Sequence, residues 1–268
     1  MKIYIPTSDN SNHILPVFAY LLNKYWEDHP PVCFLGFSEP SCQLSSGFSF
    51  TSIAPTQEGG IDEWTTYLND FFSSINDEHF IFACDDHFIV RQVDVELYNL
   101  LLKERTNPKV GRIDLTPSFQ LAEEREGCTS IYKEEQGYKI IILSQSSPPG
   151  KFIYKITGQW SIWNRKYFLQ NMPKHWNPAQ WEVIGGKMAE NDCYEILGTA
   201  DNWCVKKTEG LSGSQFPGKI NIDNLMPEDI QYIKTNNLYS PKMRLDYVNH
   251  DPQIDLKIFG HTPKINEV

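Results

Sequence analysis

Ile81-Phe82-Ala83-Cys84-Asp85-Asp86-His87-Phe88 is an apolar run that stops at two carboxylates and an imidazole. The run begins at His79, and its length and lack of charge fit a strand buried on both faces. Holding Asp85, Asp86 and His87 in an interior without partners would be costly, so the strand should end where the chain meets a cleft or solvent. Extended geometry carried through the cluster sends Asp85 and His87 to one face and Asp86 to the other. At most two of the three then converge, unless the chain turns here. A hard cation is a natural partner: Mg2+ or Mn2+ takes one or two protein ligands plus phosphate oxygens, and an imidazole tilts the choice toward Mn2+. The plain alternative is that Asp85 or Asp86 caps the next turn and His87 is solvated.

Outward from this run, strands and helices alternate. Lys2 to Pro6 reads as a short strand, and Ile14 to Trp26 as an apolar helix with Pro16 in its first turn, where a missing N–H is harmless. Val32 to Phe37 and Phe48 to Ile53 read as strands. Asp62 is expected to cap a helix from Glu63 to Ile75, whose Trp64, Tyr67, Leu68, Phe71 and Ile75 recur at helical spacing. After the acids, Val93 to Arg105 resumes a helix. This order predicts an α/β fold with a mostly parallel central sheet flanked by helices, because parallel connections need crossover elements. Ligands in such sheets sit beyond the carboxyl ends of the strands.

The second half is less regular. Val110 to Leu115, Tyr138 to Ser144 and Phe152 to Thr157 read as strands, and Asn164 to Asn171 and Ala179 to Glu190 as helices. Gly198 to Asn221 reads as a polar, mobile loop, and Pro227 to Asn236 starts like a helix. With no clean linker, residues 1–220 are expected to form one domain, with an irregular C-terminal extension, 221–268, packed on it.

Composition bounds the function. The chain has 268 residues, 40% of them hydrophobic, enough to fill a core. A formal net charge of −10 and no Lys/Arg run longer than two disfavour a nucleic-acid partner. No apolar run reaches the length of a membrane span, and Met1 to Pro6 is too brief for a signal-peptide core. Cys33, Cys42, Cys84, Cys128, Cys193 and Cys204 form no CxxC pair, and no Asn-x-Ser/Thr acceptor occurs, so reduced thiols and a cytoplasmic location are expected. The chain contains no GxGxxG, GxxxxGK[ST] or Gly-x-Ser-x-Gly motif, which leaves dehydrogenases, P-loop kinases and serine hydrolases unsupported.

Four segments follow in order: Trp64-Thr65-Thr66-Tyr67-Leu68; His79 to Leu102; Gln159-Trp160-Ser161-Ile162-Trp163; and Trp181-Glu182. Over roughly positions 1 to 205 this order resembles bacterial and phage glycosyltransferase-like proteins of the GT-A fold, a Rossmann-like architecture. The resemblance implies transfer of a sugar from a nucleotide-diphosphate sugar to a glycan or lipid-linked acceptor, as in polysaccharide biosynthesis. It makes Asp85 the first acid of an Asp-x-Asp motif that holds a divalent cation and the donor. His87 stands where the pattern has its second Asp, so Asp86 or His87 would reach the metal. Thr7 and Asp9, after the first strand, would contact base or ribose, although an Asx-type turn explains them equally. Glu182, at a helix start, would be the catalytic base of an inverting enzyme. A helix N-terminus favours the ionised carboxylate and weakens it as a base, unless burial beside Trp181 compensates.

Charge develops on the departing diphosphate, and a cation at Asp85, Asp86 and His87 would meet it. Lys206, Lys207 or Lys219 could close over the phosphates, although a solvated loop face explains each as well. Trp160 and Trp181 are the acceptor-side candidates, as exposed indoles that stack on sugars; Trp160 and Trp163 at i, i+3 could instead form one buried helix face. His250 or His261 could complete the metal site. Two other readings remain open: a metal-dependent phosphohydrolase, and a non-catalytic nucleotide- or carbohydrate-binding protein of the same fold.

Overall fold

The structure is a computed structural model that describes residues 1–56, 60–116, 127–144, 154–199, 204–205, 207–211, 219–221, 225–238 and 244–246. The chain begins β1 (Ile3–Pro6), α1 (Leu15–Tyr25), β2 (Val32–Gly36), β3 (Phe48–Ser52), α2 (Trp64–Ser74) and β4 (His79–Phe82). It continues β5 (His87–Ile89), α3 (Val95–Glu104), β6 (Val110–Asp114), β7 (Thr129–Glu135), β8 (Tyr138–Leu143), β9 (Ser161–Asn164), α4 (Arg165–Gln170) and β10 (Glu195–Thr199). Later come β11 (Lys207–Leu211), β12 (Lys219–Asn221), α5 (Pro227–Thr235) and β13 (Arg244–Asp246).

The α/β class is the expected one. A nine-stranded sheet runs in the order β3-β2-β1-β4-β9-β6-β10-β8-β7, with helices on both faces. The pairs β3-β2, β2-β1, β1-β4 and β6-β10 are parallel. The remaining pairs are antiparallel; β9 enters the sheet at the edge where β4 ends, with Ser161 opposite Phe82. A smaller sheet, β13-β12-β11-β5, joins Glu209 to His87 just beyond the acidic cluster. Part of the segment expected to be a mobile loop therefore consists of the strands β11 and β12.

Local chemistry accounts for most element ends. Asn12–Ile14 forms a 3-10 turn leading into α1, which carries Pro16 in its first turn and buries Leu15, Val17, Phe18, Leu21 and Leu22. The Asp94 carboxylate caps α3 by accepting from the Leu97 N–H at 3.0 Å. Asp62, expected to cap α2, does not. A 3-10 turn, Gly60–Glu63, precedes the helix, Glu63 takes the cap position, and Asp62 accepts from the Asn177 side chain at 3.2 Å.

The sheet divides the apolar core in two. One side gathers α1, α3 and Ile233 of α5 over Ile3, Ile5 and Phe34; the other gathers α2 and α4 over Tyr4, Phe80 and Phe82. Trp160 and Trp163 belong to opposite sides. The helix face considered for them is strand β9 and its preceding residue, so an odd spacing sends the two indoles apart. Tyr154 to Thr157 is not a strand, contrary to expectation. From the C-terminal part, α5 docks on α1 through Asp229, which is fully buried and accepts from Tyr20 at 2.9 Å and from Lys24 and Tyr25.

Candidate active site

The strand order turns back between β1 and β4. From β1 the chain moves outward through β2 to β3, then returns to the other side of β1. At such a reversal the connections leave in opposite directions and open a crevice beyond the carboxyl ends of the two strands. Thr7 follows β1 and Asp85 follows β4, and Thr7 Oγ1 donates to Asp85 Oδ2 at 2.8 Å. Burial pushes the Asp85 carboxyl up to about 7, with the Asp86 charge adding to it and the Thr7 and Ser11 hydrogen bonds opposing. Asp9 turns to the other neighbour, accepting from the Ser38 N–H at 2.9 Å and the Ser38 hydroxyl at 2.8 Å. It ties the loop after β1 to the loop after β2 and does not meet Asp85.

The acidic cluster does not stay extended. A turn at Asp85 and Asp86 is closed by the His87 N–H donating to the Cys84 carbonyl at 3.2 Å. This separates the two acids: Asp85 goes to Thr7, while Asp86 swings to the side of His87 and Cys84. One ligand atom from each of Cys84, Asp86 and His87 lies within 4.8 Å of the others, with His87 Nε2 3.7 Å from Asp86 Oδ1. Residues 158–160 hold the turn from outside. The Cys84 N–H donates to the Gly158 carbonyl at 3.1 Å, and Trp160 Nε1 donates to the His87 carbonyl at 2.9 Å.

Glu182 arrives from the far half of the chain. Asn177 and Gln180 form a reciprocal capping box that starts a helical run at Pro178. The single helix expected over Ala179 to Glu190 is instead a chain of short pieces: Pro178–Gln180, a π turn Trp181–Gly185, Gly186–Met188 and a 3-10 turn. Glu182 sits in the π turn, a geometry found often at functional sites. Its Oε1 accepts from the Gly158 N–H at 2.6 Å and from Thr157 Oγ1 at 2.9 Å. A Cβ on Gly158 would stand 2.6 Å from Cys84 Sγ and 3.7 Å from Glu182 Oε1. The glycine therefore lets the Glu182 carboxylate and the acidic turn approach from its two sides.

Thr7 and Asp85 thus meet, Asp86 and His87 meet, and Glu182 joins them across Gly158. Cys84, Thr157 and Gly158 are the residues that sequence reasoning missed. The signal for Cys84 was its place two residues before Asp86, on the same side of an extended chain; nothing local marks Thr157. The acceptor-side expectation for the two tryptophans is corrected. Trp160 is 0% and Trp181 1% exposed, so neither presents a stacking face. Trp160 lies flat on Phe18, and Trp181 packs among Trp64, Phe82, Trp163 and Phe168 with its Nε1 donating to the Asn171 carbonyl at 2.9 Å. Both indoles are long enough to reach from one element to another, and the core claims them. Lys206, His250 and His261 lie outside the described residues, and the Lys207 and Lys219 side chains are likewise not described.

At the same sheet edge the fully buried Arg112 and Asp114 of β6 stand 3.6 Å apart. Asp114 accepts from the Thr116 N–H at 2.9 Å and hydroxyl at 2.7 Å, and Arg112 donates to Ser161 of β9 at 3.4 Å and to the Tyr154 carbonyl at 3.1 Å. This polar layer fastens the ends of β6 and β9, and so fixes the segment that carries Thr157 and Gly158.

No family model and no curated protein matches the sequence. Solved structures match at a distance. The galactosyltransferase LgtC in complex with donor and acceptor sugar analogs is 15% identical, with a TM-score of 0.38 over 63% of this chain and 60% of its own. A mannosyltransferase from Pyrobaculum calidifontis in complex with GDP-Man and Mn2+ is 12% identical, with a TM-score of 0.43 over 75% of this chain and 54% of its own. An apo UDP-glucose pyrophosphorylase is 9% identical, with a TM-score of 0.47 over 88% and 98% of the two chains. The chain thus spans less than two thirds of the length of either glycosyltransferase, and these likenesses assign no chemistry to its residues. No helix among the described residues is long and apolar enough to cross a membrane.

Proposed function

We propose that the protein is a glycosyltransferase that moves a sugar from a nucleotide-diphosphate sugar to a hydroxyl of a glycan or lipid-linked acceptor. The observation that carries this reading is the meeting of Glu182 with the acidic turn at the carboxyl end of β4, through Gly158. Sugar transfer separates charge in two places. The departing diphosphate becomes more negative, and the acceptor hydroxyl must lose a proton as it attacks. Cation ligands and a carboxylate brought together beyond the carboxyl end of β4 address both needs.

Thr7 and Asp85, at the ends of β1 and β4, are the donor-side pair, and Asp9 holds the neighbouring loop in place. Cys84, Asp86 and His87 are suited to a divalent cation, since a thiol, a carboxylate and an imidazole are all metal donors and their ligand atoms already lie together. A bound cation would neutralise the diphosphate as a Lewis acid. Glu182 accepts the acceptor's proton, and the Gly158 N–H and Thr157 hydroxyl keep its carboxylate in one orientation. Exposed Val183, Ile184 and Met188 follow Glu182 on the same helical run, which favours an acceptor with an apolar portion, such as a lipid-linked glycan.

Thermal unfolding with a panel of nucleoside diphosphates and divalent cations tests the reading. A nucleotide and a cation together should raise Tm more than either alone, through linkage, and incubation with the matching donor should release its sugar slowly. Asp85→Ala should lose both effects. If Asp85→Ala keeps cation-dependent nucleotide binding and donor turnover, the assignment fails. Release of inorganic phosphate in place of sugar identifies a phosphohydrolase, and a response to glycans without nucleotide identifies a binding protein.

A further inference from the structure

The turn after β4 offers a set of donors that oxygen-seeking cations do not favour. Mg2+ wants near-octahedral oxygen ligands and keeps much of its water, whereas thiolate and imidazole ligands suit zinc-type ions. Of the three protein ligand atoms here, one is sulfur and one is nitrogen. We propose that Cys84, Asp86 and His87 together bind a borderline divalent cation of the zinc or cobalt type, in preference to Mg2+ and Mn2+. Three protein ligands do not complete the shell of such an ion, and solvent or phosphate oxygens would supply the rest. The inference rests on the transferase reading only for the ligand that completes the shell.

Three features of the fold prepare these donors. The turn closed by the His87 N–H and the Cys84 carbonyl places residues three apart on one side, which an extended strand would not do. Gly158 keeps space above the sulfur: a Cβ there would stand 2.6 Å from Sγ, inside contact distance. The Cys84 N–H and the His87 carbonyl are both bonded to residues 158–160, so the main chain carrying the outer two ligands is fixed before any ion arrives. Asp85 is directed to Thr7 and stays out of the set. On binding, the Cys84 S–H bond gives way to a sulfur–metal bond and the proton passes to solvent, so uptake should release a proton and weaken at low pH.

Titration of the metal-free full chain with Co2+ tests this directly. Sulfur ligation produces a sulfur-to-cobalt charge-transfer band in the near ultraviolet. The expected result is one such band per chain, abolished by Zn2+ and unaffected by a large excess of Mg2+ or Mn2+. Cys84→Ser should remove the band and weaken Zn2+ binding at least about tenfold, while Cys193→Ser, which alters an exposed thiol elsewhere, should leave both unchanged. X-ray absorption of the zinc-loaded native chain, which needs no variant to fold, should show one sulfur per zinc. A band that persists in Cys84→Ser, zinc without a sulfur neighbour, or Mg2+ or Mn2+ binding as tightly as Zn2+ would each overturn the proposal. Sulfur ligation without nucleotide-sugar turnover upholds it while the transferase reading fails. Turnover with Mg2+ or Mn2+ and no sulfur band does the reverse.

Discussion

Strands β1 to β4 pair in parallel with α1 and α2 among their connections, whereas β7 pairs antiparallel with β8 across a tight turn and β9 lies antiparallel to β4 and β6. The first region places its candidate side chains by where strands end: Thr7 at β1, Asp85 at β4. The second places Glu182 by reach, through hydrogen bonds to Thr157 and Gly158, more than twenty residues back along the chain. A site at strand ends is set by the local pattern. A side chain delivered by a helical run depends on everything that packs behind that run, here Trp181 against Trp64, Phe82 and Phe168.

If the two regions divide binding from proton transfer, their variants should part. Glu182→Gln should lower kcat by about 10² to 10⁴-fold with little change in donor binding. Steady-state kinetics checks this, and a raised donor KM with unchanged kcat would remove Glu182 from the role of base. Trp181→Ala probes the packing that delivers Glu182. It should cost about 3 to 5 kcal/mol in urea unfolding, as loss of a buried ring does, whereas an indole that only stacked on acceptor would leave stability untouched.

The first region should carry an unusual pH dependence. The Asp85 pKa in the folded chain lies above its ordinary value, so the folded state holds this proton more tightly than the unfolded state does. Its contribution to stability is full below the ordinary carboxyl range and is lost as pH rises to about 7 and beyond. Asp85→Asn keeps an acceptor for Thr7 and removes the titration. It should flatten that slope and stabilise the ligand-free chain above pH 7. Unfolding curves at a series of pH values would show it, and a variant less stable than the native chain at pH 8 would refute it.

Gly158→Ala strikes where the two regions touch. Its methyl group would lie 2.6 Å from Cys84 Sγ, so the turn or the 157–158 segment must shift, at a cost of about 1 to 3 kcal/mol. Turnover should fall more than stability does. The smallest effect belongs to Asp9→Ala, which removes two exposed bonds to Ser38 and should cost no more than about 1 kcal/mol. A larger loss of nucleotide affinity than of stability in that variant would give Asp9 a direct part in donor binding.

The parallel region was legible because each of its signals is short-ranged. The apolar run ending at Asp85, Pro16 in the first turn of α1 and the spacing of Trp64, Leu68 and Phe71 are read within one element. The second region misled where two structures share one pattern. Trp160 and Trp163 fit a helix face by spacing, yet the residues between them pair with β4 and β6 as a strand. Asp62 has the chemistry of a cap, but the chain enters α2 through a 3-10 turn and Glu63 takes that position.

By itself the sequence determined the α/β class, the parallel run of the first strands and the place where polar chemistry gathers, since hydrophobic periodicity and a strand that ends in acids are properties of neighbouring residues. Only the tertiary structure decided that Asp85 and Asp86 part company, that Cys84 joins Asp86 and His87, and that Glu182 reaches them across Gly158. It also decided that Trp160 and Trp181 are core. Which way a turn sends a side chain, and whether an indole meets solvent or another ring, is settled by elements distant in the chain, and a one-residue change of register or turn reverses the outcome.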